Sequence, residues 1–288
     1  MRKIAALLLV FTLLPVRLFA WGTRGHEVIA DIAYSRLMPR TRRNVALLLG
    51  NESLTLASTW ADAVRQKRPE TFGWHFVDIP EDAQGFNEQR DCFRPQDKHK
   101  DARIDHHNCA VDRIESFSRV LASPRATRQQ RTEALEWVVH LVGDLHQPLH
   151  AIAEAHGGND IKLPVFGETQ CGDHSCNLHG AWDVALLEHA SLSEGEYVRR
   201  IQALIRAEGL DSKAGRTPED WANESHAEAH AILQQRPAKV DDLYYQSNIH
   251  LVDERLALAG LRLAALLNRT LGSIPTEQLR QELRRQGR

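Results

Sequence analysis

Histidine and aspartate residues recur at helical spacing in the second half of the chain. His140 precedes Asp144 by four residues, His179 precedes Asp183 by four, and His150 lies between the two pairs. Residues four apart share one face of a helix, so each pair can point into one cavity. Imidazole and carboxylate groups are ligands that zinc takes. Five such groups are more than one metal ion needs. The spacing therefore predicts a polynuclear metal site, and such sites mostly catalyse hydrolysis.

Any one of these histidines, taken alone, is best explained as a hydrogen-bonded core or surface histidine. Their joint occurrence at these spacings favours a shared site over a separate structural explanation for each. His146 is an exception, because it is two residues from Asp144 and lies off the face that Asp144 shares with His140. We expect His146 to lie in the core or to support a ligand from behind.

The first 20 residues have the pattern of a signal peptide. Arg2 and Lys3 precede an apolar run of about ten residues, which is too short to span a bilayer. A cleavage site that ends at Ala20 follows. We therefore expect residues 1–20 to be removed and the mature chain to be exported, either to a periplasm or out of the cell. We expect no membrane span in the mature chain, since no later stretch is long and apolar enough.

The expected cleavage would make Trp21 the first residue of the mature chain. The free α-amino nitrogen and the carbonyl oxygen of one residue can together chelate a metal ion. His26 follows Trp21 by five residues, one turn into the first predicted helix. The new chain terminus is therefore a further candidate source of metal ligands.

Two more candidates lie between the terminus and the His140 region. Asp62 is followed three residues later by Arg65, a spacing that also forms ordinary salt bridges on exposed helices. His75 lies between Trp74 and Phe76 in an apolar run, where a buried, hydrogen-bonded histidine is the plainer explanation. A role for either in a metal site depends on whether the fold brings it to the other candidates.

Four cysteines in a chain with an export signal indicate disulfide bonds. Short loop closure favours pairing Cys171 with Cys176 and Cys92 with Cys109, although the sequence leaves the other two pairings open. A cysteine zinc site is the rival interpretation, and the absence of any Cys-x-x-Cys spacing disfavours it.

The overall charge constrains the class of partner. Removing the leader takes three basic residues from a chain of formal net charge −2, which leaves the mature chain at about −5. Such a chain lacks the basic stripe that is typical of proteins that bind duplex DNA. If nucleic acid is the partner, metal ions and local groups must hold its phosphates.

The hydrophobic periodicity predicts a mainly α-helical protein. We expect residues 21–288 to form one domain, with short strands or a hairpin at residues 74–79 and 161–166. Two long polar segments, residues 80–108 and 155–177, are expected to be loops gathered near the site. The predicted helices span residues 23–37, 41–49, 54–66, 110–122, 127–144, 178–189, 194–207, 218–235 and 249–271.

Seven blocks occur in a fixed order along the chain: Trp21, His26, Trp60-Ala61-Asp62, His75-Phe76, the segment from His140 to His150, Gly157-Gly158-Asn159-Asp160, and Asn177-Leu178-His179 with Trp182-Asp183. Together they resemble the zinc-dependent single-strand-specific nucleases of the S1/P1 type, a family related in fold to bacterial zinc phospholipase C. The resemblance covers nearly all of the mature chain.

The resemblance implies a mainly helical fold that holds three zinc ions. One ion would be bound by Asp62, His75, His140 and Asp144. A second would be bound by His150, His179 and Asp183. The third would be bound by the amino and carbonyl groups of Trp21, by His26 and by Asp144, which would bridge two ions.

The resemblance also implies an activity and the residues that serve it. The implied reaction is hydrolysis of single-stranded DNA and RNA to 5′-phosphate products, together with dephosphorylation of 3′-nucleotides. Asp62 and Arg65 would be catalytic, and Arg65 would also contact the phosphate. Phe76 would stack on an unpaired base, Asp78 would bind a base edge, and Asn159 would contact substrate. No stable protein partner is implied.

Two other functions fit the same ligand residues. A zinc-dependent phospholipase C would need an apolar approach surface, and its last carboxylate tends to be glutamate where this chain has Asp183. A non-catalytic, exported zinc-binding protein would saturate its ligands and leave no room for water. Arg65, close to the ligands in sequence, favours a catalytic site over this second alternative.

Overall fold

The protein is described by a computed structural model that covers residues 21–65, 67–92 and 108–286. The predicted signal peptide, residues 1–20, lies outside these ranges. The described part is mainly α-helical, as the periodicity predicts. Its α-helices are α1 (Gly22–Arg36), α2 (Pro39–Leu49), α3 (Leu54–Ala57), α4 (Trp60–Arg65), α5 (Glu88–Asp91), α6 (Ala110–Ala122), α7 (Arg128–His146), α8 (Leu178–Gly180), α9 (Leu186–His189), α10 (Glu194–Glu208), α11 (Pro218–Gln234), α12 (Asp242–Thr270) and α13 (Thr276–Gln286).

Shorter elements join these helices. A π-helical turn, Ala181–Ala185, links α8 to α9. Strands β1 (Gln170–Cys171) and β2 (His174–Ser175) pair antiparallel. The 3-10 helices are Pro69–His75, Pro148–Ala151, Glu154–His156, Leu210–Lys213 and Leu271–Ser273.

Helix α7 lies at the centre of the fold, against α6, α11 and α12. Every side chain from residue 134 to residue 146 is buried. A helix buried on all sides has no face turned to solvent, so its polar side chains must find partners inside the protein. This packing brings His140 and Asp144 into the interior, where other elements can meet them.

Helix α1, at the start of the described chain, also contacts α7. It packs against α12, where Gly260 permits a close approach: a Cβ atom at this position would lie 2.6 Å from Cγ2 of Ile32. Gly143 of α7 likewise permits the close approach of His26, since a Cβ atom at this position would lie 2.8 Å from the Nδ1 atom of His26. The two close contacts set the His26 ring directly against α7.

The predicted strand at residues 74–79 is wrong. Its first residues belong to a 3-10 helix, and the extended segment after it runs beside the turn that follows α7. There the amide of Val77 donates to the carbonyl of His150 (2.8 Å), and the amide of Ala153 donates to the carbonyl of Ile79 (3.0 Å). The apolar alternation arises because Val77 and Ile79 are buried against this turn, although the segment belongs to no sheet.

The predicted strand at residues 161–166 is also wrong. Its residues form isolated bridges, from Lys162 to Asn177 and from Val165 to both Glu168 and Val240. The hairpin lies a few residues later, at β1 and β2. The bridges show that the segment is extended but pairs one residue at a time with separate parts of the chain.

The helix predictions differ from the structure at several places, and the helix predicted over residues 178–189 is divided into α8, the π-helical turn and α9. The helix predicted over residues 54–66 is divided into α3 and α4, because the hydroxyl of Ser58 donates to the carbonyl of Thr55 (2.6 Å) and competes with the helical pattern. Helix α12 begins earlier than predicted, at a cap where the side chain of Asp241 accepts the amide of Tyr244. Helix α13 was not predicted, because its sequence is strongly polar.

Both favoured disulfide bonds are present. Cys92 pairs with Cys109, and Cys171 pairs with Cys176 across the β1–β2 hairpin.

Within residues 21–65, 67–92 and 108–286, none of the helices has the length and apolar composition needed to cross a bilayer.

Candidate metal centre

His140 and Asp144 lie one turn apart on the buried helix α7. The Nδ1 atom of His140 is 2.7 Å from the carbonyl oxygen of Ser58, at the break between α3 and α4. A carbonyl oxygen only accepts, so Nδ1 carries a proton and donates it. The Nε2 atom is thereby aimed into the interior, 3.2 Å from Oδ2 of Asp144.

The two oxygens of Asp144 meet different imidazoles. Oδ1 lies 3.2 Å from Nε2 of His26, whereas Oδ2 lies 2.8 Å from Nδ1 of His75 and 3.2 Å from Nε2 of His140. A carboxylate can bridge two cations when each oxygen serves one of them. Asp144 has the geometry of such a bridging ligand.

Asp62 of α4 completes this group. Its Oδ1 atom is buried, 3.7 Å from Nε2 of His140. The five residues that meet here are named the Asp144 cluster: His26, Asp62, His75, His140 and Asp144.

The ligand sets within the Asp144 cluster overlap. Two sets of its ligand atoms lie close enough to share an ion: His26 with Asp62 and His140, and His75 with His140 and Asp144. The resemblance assigns His26 to a different ion from Asp62. The rings of His26 and His140 stack with centroids 4.0 Å apart. The residues that the resemblance assigns to two separate ions therefore adjoin each other within this cluster.

A second group, named the Asp183 cluster, consists of His150, His179 and Asp183. The Nε2 atoms of the two imidazoles lie 3.7 Å and 3.2 Å from separate oxygens of Asp183. His179 and Asp183 come from α8 and the π-helical turn, and His150 comes from the 3-10 helix after α7.

Backbone carbonyls orient the imidazoles of both clusters. Nδ1 of His150 is 2.8 Å from the carbonyl oxygen of His75, and Nδ1 of His179 is 2.8 Å from that of Gly157. With Nδ1 donating, each Nε2 atom is free to bind an ion, an arrangement common around metal-binding histidines. His150 of one cluster therefore depends on the backbone of a residue in the other.

The electrostatics of the Asp144 cluster favour added positive charge. Burial opposes a charged His140, but Asp144 and Asp62 outweigh it and raise the pKa of His140 to about 9. Burial would also raise the pKa of Asp144, yet His140 and its neighbours hold that pKa well below its usual range. Burial lowers the pKa of His26, which keeps this imidazole neutral and able to bind a cation.

The Asp183 cluster shows the same preference. Burial alone would raise the pKa of Asp183, but His179 and His150 lower it well below the usual value. Burial opposes protonation of His150, whereas the Asp183 carboxylate raises the pKa of this imidazole. An ionised carboxylate that favours a proton on His150 would attract a cation in the same way.

Several polar atoms that face into the clusters form no hydrogen bond within the described part of the chain. These are Oδ1 of Asp62, Oδ1 of Asp144, and Nε2 of both His26 and His150. Buried polar atoms without partners cost free energy, so native proteins rarely leave them without a ligand, ion or water. The nitrogen and oxygen donors of the two clusters fit bound metal ions.

Trp21 lies at the start of α1, fully buried and with a left-handed backbone (φ 39°). Its carbonyl oxygen accepts the amide of Gly25 at 3.0 Å. A carbonyl has two lone pairs, so this bond leaves one for another partner. Trp21 lies about one helical turn before His26, which belongs to the Asp144 cluster.

A cavity of about 470 Å³ opens onto both clusters. His75 of the Asp144 cluster and all three residues of the Asp183 cluster line it. The structure also brings the four residues predicted to contact substrate to this cavity, namely Arg65, Phe76, Asp78 and Asn159. Candidates that are far apart in sequence therefore share one opening.

Gln147 and Phe72 are two of the residues at the site to which the sequence interpretation assigns no role. Gln147 is buried, and its Nε2 atom donates to Oδ1 of Asp183 at 2.5 Å. Phe72 lines the cavity beside Phe76. Gln147 lies inside the block from His140 to His150, so the resemblance could have identified it as a residue of the site. No comparable signal marks Phe72.

Comparisons with known proteins show the family of this chain. The sequence model of the S1/P1 Nuclease family matches residues 21–272. Endonuclease 2 of Arabidopsis thaliana is 31% identical over 278 residues, which cover 88% of this chain and 91% of the relative. Nuclease S1 of Aspergillus oryzae is 28% identical (87% and 91% covered), and nuclease P1 of Penicillium citrinum is 26% identical (88% and 98%). Since the family match extends over most of its length, the chain belongs to the S1/P1 nuclease family.

Proposed function

We propose that this chain is an exported, zinc-dependent endonuclease that hydrolyses single-stranded DNA and RNA to 5′-phosphate products and also dephosphorylates 3′-nucleotides. Membership in the family makes it a nuclease, and the finer statements are inferences from the site. The observation that carries them is the convergence of two histidine–aspartate clusters on a cavity that Arg65 and Phe76 also line.

The proposed metal content is three zinc ions. We assign Asp62, His75, His140 and Asp144 to one ion, and His150, His179 and Asp183 to another. The third would take His26, Asp144 and the terminal amino and carbonyl groups of Trp21. Imidazole and carboxylate donors in a buried site suit zinc better than magnesium or calcium, which prefer oxygen ligands. The two-sided contacts of Asp144 support its place between two ions.

When bound, the zinc ions would lower the pKa of water in the site and stabilise negative charge on the phosphoryl oxygens. The side chains supply the remaining steps. Oδ1 of Asp62 is buried next to His140 and can accept the proton of the attacking water. The water oxygen would bond to phosphorus as the P–O3′ bond breaks, and the departing O3′ would take a proton from solvent water and leave as an alcohol. Arg65 would donate two N–H groups to the non-bridging oxygens, where charge accumulates.

The preference for single strands is assigned to the wall of the cavity. Phe76 would stack on a base, which must be unpaired to reach it, and stacking tolerates any base identity. Asp78 would accept hydrogen bonds from a base edge. Asn159 is oriented by a hydrogen bond from its Nδ2 to the carbonyl of His156 (2.9 Å), which leaves its side-chain oxygen to contact substrate. RNA and DNA would both bind where no group reads the 2′-hydroxyl.

Export is proposed from the leader pattern together with the two disulfide bonds, which persist in oxidising compartments. We propose that cleavage after Ala20 releases a single catalytic domain, residues 21–288, whose first residue is a metal ligand.

The test is a comparison of substrates with the processed, zinc-loaded protein. We expect rapid cleavage of single-stranded DNA and RNA, slower cleavage of a duplex of the same sequence, release of phosphate from 3′-nucleotides, and three bound zinc ions per chain by elemental analysis. Cleavage of phosphatidylcholine vesicles without cleavage of DNA would identify a phospholipase C instead. Zinc binding with no hydrolysis of either substrate would refute the catalytic proposal.

A further inference from the structure

Phe72 combines exposure with a place at the site. It belongs to the 3-10 helix Pro69–His75, and its exposed fraction is 53%. Five large apolar side chains are exposed in the described part of the chain: Tyr34, Met38, Leu56, Phe72 and Leu243. Phe72 alone among them lines the cavity that both metal clusters face. Its exposure therefore leaves an aromatic surface where the substrate must pass.

The ring of Phe72 is set almost perpendicular to that of Phe76. Their centroids are 5.5 Å apart and their planes meet at 79°. Two bases that each stacked on one of these rings would be turned away from each other and could not remain stacked as in a helix. The pair of rings thus suits two successive bases of an unpaired strand that has been bent open.

Arg65 lies beside the same ring. Its guanidinium carbon is 5.8 Å from the centroid of Phe72, within the range of a cation–π contact. Under the proposed function Arg65 binds the phosphate that is cleaved. A phosphate at Arg65 would then lie close to both aromatic rings, as the phosphodiester between two nucleotides must.

We propose that Phe72 forms a second base-stacking subsite, which binds the nucleobase on the other side of the scissile phosphodiester from the base held at Phe76. This proposal depends on the proposed function. Phe72 would favour substrates with two bases over mononucleotides, and it would help to exclude duplexes, because paired bases cannot splay apart. A 3′-nucleotide has one base, so it would use Phe76 alone.

A different role for Phe72 would leave another signature. If the ring only held Arg65 in place, its loss would impair phosphate binding by every substrate alike. Stacking predicts a loss confined to substrates with a second base. The comparison between oligonucleotides and mononucleotides therefore separates the two roles.

The experiment compares Phe72→Leu and Phe72→Trp with the unchanged protein, all zinc-loaded. Tyr34→Leu is the matched control, since Tyr34 is an exposed aromatic residue under an arginine (Arg42, 5.2 Å) but does not line the cavity. KM and kcat are measured on a thymidine oligonucleotide and on thymidine 3′-phosphate. Calorimetry gives the affinity for an oligothymidylate with phosphorothioate links of one configuration, chosen as the one that the unchanged protein does not cleave.

We expect Phe72→Leu to raise the oligonucleotide KM, and to weaken phosphorothioate binding, by about 5- to 100-fold. Its KM for thymidine 3′-phosphate should stay within about twofold, and Phe72→Trp should retain the affinity of the unchanged protein. Equal losses on both substrates, or no loss on either, would overturn the subsite. Failure of the proposed function would look different, because the unchanged protein itself would then bind and cleave neither substrate.

Discussion

Gln147 donates a hydrogen bond from Nε2 to Oδ1 of Asp183 at 2.5 Å, and both side chains are buried. The other end of the same amide is held as well, since its oxygen accepts the backbone amide of Leu149 at 2.6 Å. The amide therefore cannot rotate away from Asp183. It fixes the orientation of a carboxylate that we propose to bind zinc with His150 and His179.

Replacing Gln147 with leucine should weaken one metal site and spare the rest. Loss of a group that orients a metal ligand typically costs 10- to 100-fold in metal affinity or activity. We expect Gln147→Leu to lose about one zinc ion per chain at limiting zinc, measured by elemental analysis after dialysis. Gln278→Leu is the control, because its amide donates to Glu282 at the surface (2.9 Å). Equal zinc retention in both variants would show that Gln147 does not support a ligand.

Asp144→Asn should affect more than one ion. The substitution removes one of the two charged oxygens that contact His26 on one side and His75 and His140 on the other. We expect zinc content and nuclease activity to fall together, with activity reduced by more than about 100-fold. Asp160→Asn, an exposed carboxylate at the cavity, is the control for charge alone. Full zinc occupancy with unchanged turnover in Asp144→Asn would exclude a bridging role.

The parts of the site that lie on one element could be predicted from the sequence. His140 and Asp144, and likewise His179 and Asp183, are four residues apart, and the structure sets each pair with nitrogen and oxygen atoms 3.2 Å apart. Helical geometry alone is sufficient for that inference. The disulfide pairing was likewise predictable, because it closes the shortest loops.

The parts that depend on tertiary contacts could not be predicted in this way. The alternation at Val77 and Ile79 correctly indicates a buried face, but it does not say that the partner is a turn after α7. Similarly, every residue has a carbonyl group, so nothing in the sequence marks those of Ser58 and Gly157 as the acceptors for His140 and His179. Such contacts are decided by the packing of separate segments.

Gly157 can be tested against a second glycine with the same backbone conformation. Gly157 and Gly209 both have φ near +62°, but a Cβ atom at Gly157 would lie 2.3 Å from the carbonyl oxygen of Leu149, whereas one at Gly209 meets nothing within 4 Å. Gly209→Ala should therefore cost only the left-handed strain, about 1 kcal/mol of stability, without loss of activity.

Gly157→Ala should additionally displace the backbone carbonyl of residue 157, which accepts a hydrogen bond from Nδ1 of His179. We expect activity to fall by about 10- to 100-fold beyond any effect of Gly209→Ala, with a lower zinc affinity. Steady-state kinetics and thermal unfolding of the two variants provide the comparison. Similar kinetics for both would mean that the position of this carbonyl is unimportant for the site.

Processing after Ala20 should determine the occupancy of one metal site. A chain that keeps an additional methionine before Trp21 has an amide in place of the α-amino group, and an amide nitrogen has no available lone pair. We expect this form to bind about one zinc ion fewer than the processed chain. His26→Ala should lose the same ion, so combining it with the extension should cause no further loss. Equal zinc content in extended and processed chains would rule out the terminal ligand.

Glu136 should make stability depend on pH at a place outside the site. Its side chain is 7% exposed, and burial, followed by repulsion from Glu52 and Glu133, raises its pKa to about 7. The folded state therefore holds a proton that the unfolded state loses above about pH 4.5. The stabilising contribution is present below that pH and is lost as the pH rises through about 7.

The neutral variant Glu136→Gln should accordingly match the unchanged protein at pH 4 to 4.5 and exceed it above pH 7. We expect the gain in the free energy of unfolding at pH 8 to be about 1 to 3 kcal/mol. The measurement is denaturant unfolding at several pH values, taken as the difference between the two proteins so that the titration of other groups cancels. Glu168→Gln, the same substitution at an exposed position, is the matched control. A difference that stayed constant from pH 4.5 to 8 would mean that the Glu136 carboxyl titrates alike in the folded and unfolded chains.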